Sequence, residues 1–323
     1  MSAERDIQGQ TLDVTQGPIG NALGRLVPVV THSRVVKPAV REAVVATVRS
    51  WWPDVARDLP WRTSRDPWEI LVSEVMAQQT QVDRVIPKWQ AFIERFPTPV
   101  HAAEAAAGDL ISMWDGLGYN RRALYLHKCA QAVVNNHGGS FPNELAELLA
   151  LPGVGPYTAR AVQAFAFEAD VAVVDTNVGR VLARVAGGSL SANDAQEVAD
   201  SLVPAGAGWE WNQAFLDFGA MMCTKRSPQC PTCPLRDSCA WAGVGPDPAV
   251  GSAGVSKAQA RFEGSNRQAR GRLVARLRDG SIEVSAVGSI FDFADDAARE
   301  ESVLASLIDD GMVVEHDGWL SLP

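Results

Sequence analysis

Four cysteines crowd into 17 residues: Cys223, Cys230, Cys233 and Cys239, a C-x6-C-x2-C-x5-C spacing. In a reducing cytosol, thiols gathered this closely point to metal ligation rather than to disulfides. Spacing alone leaves two metals open, because four thiolates suit tetrahedral zinc and an iron–sulfur cluster equally well. Lys225 and Arg226 lie between the first two ligands and could meet a phosphate. Cys129, alone on an apolar helical face, reads as core.

A second pattern is Leu151-Pro152-Gly153-Val154-Gly155, set between two helical stretches. Glycines around an apolar residue allow a tight turn that aims backbone N–H groups outward at the start of the next helix. Such a turn binds anions without reading base sequence. After that helix comes Val171-Ala172-Val173-Val174-Asp175-Thr176-Asn177-Val178. A carboxylate ending an apolar run, just before a helix, has its pKa raised by desolvation and lowered by the helix N-terminus. The plain alternative is that Asp175 only caps the helix.

The elements that must hold these groups read as mostly helical. From about Ala39 to Met222 the periodicity is that of amphipathic helices, with no pair of strongly alternating strands. Asp66-Pro67-Trp68-Glu69 is a helix start, with an Asp cap and Pro at the first position. Helices are predicted over Trp68–Thr80, Val82–Phe96, Arg121–Asn136, Pro156–Phe167, Asn177–Val185, Asn193–Leu202 and Trp209–Met222. Residues 1–38 read as a mobile arm, 39–240 as the main domain, 241–260 as a Gly/Ala/Ser/Pro linker and 261–323 as a small acidic C-terminal unit. That unit shows helices at Gly271–Arg278 and Ala297–Asp310, then a hairpin turning at Asp317-Gly318, which suggests an α+β, winged-helix-like shape.

Charge neither requires nor forbids a nucleic-acid partner. The net charge is −9, but residues 279–323 hold eleven Asp/Glu against Arg299 alone, which leaves residues 1–278 at about +1. A near-neutral body can still present a basic face to phosphate. No apolar run is long enough to span a membrane and no signal pattern opens the chain, so a cytoplasmic protein without membrane contacts is expected.

Taken together, L-P-G-V-G-P-Y-T-A, V-V-D-T-N-V and the four cysteines resemble the helix-hairpin-helix, endonuclease III-like superfamily of DNA glycosylases. Arg57-Asp58-Leu59-Pro60-Trp61-Arg62, Ser73-Glu74-Val75-Met76-Ala77-Gln78-Gln79-Thr80, Gly116-Leu117-Gly118-Tyr119, Leu126-His127-Lys128, His137–Pro142 and Trp211-Asn212-Gln213-Ala214 narrow it to the MutY-type adenine glycosylases, over roughly residues 55–240. The resemblance implies an all-α, two-lobed fold, a [4Fe–4S] cluster on Cys223, Cys230, Cys233 and Cys239, and double-stranded DNA containing a mispair as partner. A monomer is expected.

It also assigns roles. Bifunctional members carry Lys after the hairpin proline, whose amine forms a Schiff base with the sugar. Tyr157 stands there and cannot, so a monofunctional hydrolase is implied. Glu74 would protonate the departing adenine and Asp175 would face C1′, stabilising or trapping the cation, as in a retaining glycosidase. For Glu74 the alternative is a solvated helix face. Asn177 would help hold Asp175, and Gly153 and Gly155 would grip phosphate. Tyr119 would wedge into the stack beside Gln79 once the base is flipped; otherwise Tyr119 is a turn aromatic packing on Leu117. Arg57, Trp61, Arg62, Tyr157 and Gln213 correspond to adenine-pocket positions.

Three departures stand out. Ala77 replaces a usual Leu and enlarges the pocket, and Gly179 stands where several relatives carry Lys. No counterpart of the family's C-terminal reader of 8-oxoguanine is visible. Arginines in Phe262–Arg272, a stretch shared with tail-reduced relatives, either touch DNA or pair with the acidic tail. The competing readings are a thymine- or uracil-directed mismatch glycosylase and a catalytically silent iron–sulfur DNA-binding protein.

Overall fold

The computed structural model describes residues 36–252, 261–294 and 296–323. The expected arm falls almost wholly outside the described residues, as does the second part of the linker. The described chain is mostly α-helical, in agreement with the sequence reading, and none of its helices is long and apolar enough to cross a membrane.

Two apolar cores organise it. The first is built by α2 (Pro67–Ala77), α3 (Val82–Arg95), α4 (Pro99–Glu104), α5 (Ala107–Met113), α6 (Arg121–His137), α7 (Leu145–Ala150) and α8 (Pro156–Ala166). The second gathers α9 (Thr176–Ala186), α10 (Ala192–Leu202) and α11 (Gly208–Met221) with α1 (Pro38–Trp51), which comes from far earlier in the chain. Val44 and Val48 of α1 are fully buried there, and Trp51 meets Phe218 edge-on with ring centroids 5.2 Å apart.

The cap of α2 is as the sequence suggested: the Asp66 carboxylate accepts from Trp68 N at 2.8 Å and Pro67 opens the first turn. A cap of this kind contributes about 1 kcal/mol. The helix ends at Ala77, three residues before the predicted Thr80. Gln78 turns extended and Gln79 adopts φ +56°, while Arg122 donates to the carbonyls of Val75, Met76 and Gln78, satisfying the helix end from the side. A guanidinium substitutes for another turn of helix.

The C-terminal unit has α12 (Asn266–Leu277), α13 (Val287–Phe291) and α14 (Ala297–Asp309) beside a small antiparallel sheet, in the order β1 (Ile282–Glu283), β3 (Trp319–Ser321), β2 (Val314–His316). The hairpin turns at Asp317 and Gly318, both with positive φ, the geometry of a two-residue primed turn. Helix α12 begins five residues before the predicted Gly271, because the Ser265 side chain caps Gln268 N. Its buried Ala269, Leu273, Val274 and Leu277 join the first core directly. Upstream, Trp241–Ser252 runs as turns fastened to the end of α9: Asp247 holds Arg184 at 2.7 Å and Ser189 Oγ donates to the Pro248 carbonyl at 3.1 Å.

Candidate active site

Helix α2 is buried along almost its whole length, and Glu74 is the carboxylate it carries inward between buried Ser73 and Val75. Helix α8 packs against α2 and brings Tyr157 across, whose hydroxyl donates to Glu74 Oε2 at 2.7 Å. Burial lifts the Glu74 pKa from 4.5 to about 7, the Tyr157 bond and Arg62 pull it down, and the nearby Asp175 charge pushes it up again. At neutral pH the carboxyl is therefore shared between acid and carboxylate, the state a proton donor needs. Burial beside Glu74 and Asp175 holds the Tyr157 phenol well above its ordinary value, so it stays a neutral donor.

Asp175 enters from the other lobe, as the N-cap of α9. Its Oδ1 accepts from Asn177 N at 2.8 Å and Val178 N at 2.7 Å, and its Oδ2 accepts from Asn177 Nδ2 at 2.7 Å. The capping alternative and the proximity to Glu74 thus coexist: three donors orient the carboxylate while burial still raises its pKa. The extended run before it has no sheet to complete its hydrogen bonds, and side chains do so. Asn212 accepts from Val173 N and donates to the Val171 carbonyl, both at 2.8 Å, while Asp200 accepts from Ala172 N. Behind Asn177, Arg180 donates to Asn177 Oδ1 at 2.9 Å and to the carbonyl of Cys223 at 2.6 Å.

Arg57 and Arg62 meet at Asp217, a fully buried carboxylate on α11. Arg62 binds it with two nitrogens, at 2.8 and 2.9 Å, and Trp52 Nε1 donates to it at 3.0 Å. Both arginine side chains are thereby committed to a structural ion pair, and the Arg62 charge is also felt at Glu74. Asp217 was missed by sequence reasoning, though an acid on the buried face of α11, between Phe215 and Phe218, is a legible anomaly. Trp61 packs edge-on to Trp89, and Gln213 is buried in α11.

Tyr119 and Gln79 stand on two adjacent turns, linked by the bond from the Thr80 hydroxyl to the Leu117 carbonyl. Both hold positive φ, +49° and +56°, and both are exposed. Arg122 binds the Leu117 and Gly118 carbonyls at 3.0 and 2.9 Å and Thr80 Oγ1 at 3.3 Å, tying the two turns together. In the hairpin, Gly153 has φ +78° and a Cβ there would stand 2.7 Å from Tyr125 Cβ, so glycine is required. Gly155 has ordinary backbone angles and caps α8, so only the first glycine answers the geometric need.

The four clustered cysteines line one recess at the end of α9. N–H groups point at their sulfurs: Arg184 Nη1 lies 3.2 Å from Cys223 Sγ and Ala242 N 3.3 Å from Cys239 Sγ. Among the described residues, no three His, Cys, Asp or Glu side chains are placed to hold a metal ion. Four thiols around one recess, two of them met by N–H donors, are a donor set suited to a thiolate-held metal centre.

The chain matches the family model of the HhH-GPD superfamily base excision DNA repair proteins over residues 72–204. It is 41% identical to the adenine DNA glycosylase of Mycolicibacterium smegmatis, over 84% of this chain and 94% of that one. Among solved structures it is similar to a thermostable thymine-DNA glycosylase, with a TM-score of 0.61 and 32% identity over 64% of this chain and 97% of that one. A non-covalent endonuclease III–DNA complex superposes with a TM-score of 0.57 and 26% identity, over 62% of this chain and 94% of that one. The two-lobed helical architecture, the hairpin before α8 and this similarity across most of the chain place it in the adenine DNA glycosylase family of the HhH-GPD superfamily.

Proposed function

We propose that this base excision repair glycosylase hydrolyses the N-glycosidic bond of adenine mispaired with 8-oxoguanine or guanine, without lyase activity. The observation that carries the proposal is the Glu74–Tyr157 bond at 2.7 Å beside Asp175: a carboxyl whose pKa is about 7, a neutral phenol, and a carboxylate fixed by three donors. Glu74 gives its proton to the leaving base, and Asp175 faces the positive charge that grows on the sugar. Tyr157 holds Glu74 in place and, lacking an amine, offers no route to an imine. Gly153, Gly155 and the start of α8 grip backbone phosphate, while Tyr119 and Gln79 occupy the space left by the flipped base. Trp61 and Gln213, with Arg57 and Arg62 held by Asp217, line the base pocket.

Cys223, Cys230, Cys233 and Cys239 would hold a [4Fe–4S] cluster, which supplies a covalent staple for the loop carrying Lys225 and Arg226. A brown solution absorbing near ~400 nm supports this, and a colourless zinc protein overturns it.

The test is single-turnover cleavage of duplexes pairing A with 8-oxoguanine, G or C, alongside T·G and U·G, with Glu74→Gln and Asp175→Asn as controls. Adenine release fastest opposite 8-oxoguanine, lost in both controls, supports the proposal. Release of T or U instead would move the chain to the thymine/uracil specificity, for which the small Ala77 and the 32% identical thymine-DNA glycosylase give grounds.

A further inference from the structure

The Gly116–Tyr119 loop is strained by its own conformation. Gly116, Gly118 and Tyr119 all hold positive φ, and for a tyrosine this costs energy that the surroundings must offset. Arg122 holds the loop from inside. What holds it from outside is the C-terminal unit, at successive points along residues 108–121. Gly108 N donates to the Pro323 carbonyl at 2.6 Å, and a Cβ on Gly108 would stand 2.8 Å from that oxygen. Asp115 pairs with Arg278, and Arg121 pairs with Asp310 at 3.3 Å, itself gripped by Arg270 at 2.6 Å.

The contact that reaches the site is Arg267. Its Nη1 donates to the Tyr119 hydroxyl at 2.9 Å, and its guanidinium lies 5.6 Å from the Tyr119 ring centroid and 5.1 Å from that of Phe262. Tyr119 is 39% exposed and Phe262 51%, so this pile of two rings around a cation sits at the surface. A hydroxyl bond and a face contact together fix both the direction and the roll of the tyrosine ring. Helix α12, which carries Arg267, is seated in the first core through Leu273 and Val274 and cannot shift independently of it.

We infer that Arg267 is a positioning residue for Tyr119, and that the C-terminal unit is thereby part of the base-flipping apparatus rather than an appendage. The inference rests on the reading of Tyr119 as the residue that enters the base stack. It assigns the Arg267 stretch a task in the reaction itself, in place of the choice between general DNA contact and pairing with the acidic tail.

The test uses the full chain and a duplex carrying 2-aminopurine at the mispaired adenine, whose fluorescence rises when the base leaves the stack. In a Glu74→Gln background, which binds without cleaving, Arg267→Met should lower the rate of the fluorescence rise about tenfold, the loss of one charge-assisted bond. Otherwise wild-type protein carrying Arg267→Met should lose about tenfold in kcat while KM changes less than about threefold, since binding persists and the flipped state suffers. The melting temperature should hold, Arg267→Lys should restore part of the rate, and Tyr119→Phe should add little to Arg267→Met because both break the same bond. Equal flipping rates in Arg267→Met and its parent, or additive defects with Tyr119→Phe, overturn the inference. If the parent itself neither flips 2-aminopurine nor releases adenine, it is the proposed function that fails.

Discussion

Glu74→Gln separates the two consequences of burying this carboxyl. Burial raises its pKa from 4.5 to about 7. Between those pH values the folded chain keeps a proton that the unfolded chain releases, so stability falls as pH rises through this window and stays lower above it. At about 1.4 kcal/mol for each pH decade, an ionised Glu74 costs the fold on the order of 3 kcal/mol at pH 8. Glutamine has the same shape and its oxygen can still accept from Tyr157, but it never ionises. The variant should therefore melt above its parent at pH 8, by on the order of 5 °C for a chain of this size, and close to its parent at pH 5. Adenine release should fall by about 10²–10⁴ at pH 7, and by less at pH 8, where most of the parent has itself lost the Glu74 proton. Thermal melts at the two pH values, with single-turnover rates on the same samples, provide the check. A gain in stability equal at pH 5 and pH 8 would refute the claim that burial holds the proton on Glu74.

Four further outcomes follow from the geometry. The rate of adenine release should fall above about pH 7, where Glu74 loses its proton, and fall again in acid, where Asp175, itself raised by burial, gains one. Asp217→Asn leaves Arg62 buried without its counter-charge and should cost about 3–5 kcal/mol in denaturant unfolding. Unchanged stability would mean that the pair contributes nothing to the fold. Gly153→Ala forces a Cβ to within 2.7 Å of Tyr125 at a left-handed position. It should weaken binding to matched and mispaired duplexes alike, by filter binding or anisotropy, because backbone amides read no sequence. Cys233→Ser should abolish absorbance near ~400 nm and loosen the 223–239 loop to protease; retained colour would place the cluster elsewhere.

Local signals were legible in the sequence. The Asp66 cap, the proline at the head of α2, the Asp317-Gly318 turn and most helix ends follow from rules acting over a few residues. The family resemblance put Glu74, Tyr157 and Asp175 on one list, and the fold brings them close together. What spacing could not show were partnerships across the chain. Asp217 meets Arg62 across 155 residues, and Arg267 reaches Tyr119 across 148. Arg122 ends α2 early by binding carbonyls more than 40 residues away, so the Gln78–Thr80 stretch that looked helical became a turn. In each case a long, flexible cation meets a group whose position only the finished fold defines, and no local rule carries that information.

The second core is not contiguous in the chain. Helix α1 ends at Trp51, and the helices it packs against, α10 and α11, begin at Ala192 and Gly208, about 140 and 157 residues later. During synthesis at about 5–20 residues per second, the apolar face of α1 leaves the ribosome roughly 7–30 seconds before α10 and α11 begin to emerge and cover it. Helices α2–α8 are consecutive and can pack on one another in that interval, leaving α12 and the C-terminal residues to complete their core later. The second core then forms by recruiting a helix that has waited, and loop closure over that distance adds entropy to the last step. Substitutions at Val44 or Val48 should therefore slow the completion of folding and lower the yield of soluble chain, even though α1 supplies neither of the two carboxylates.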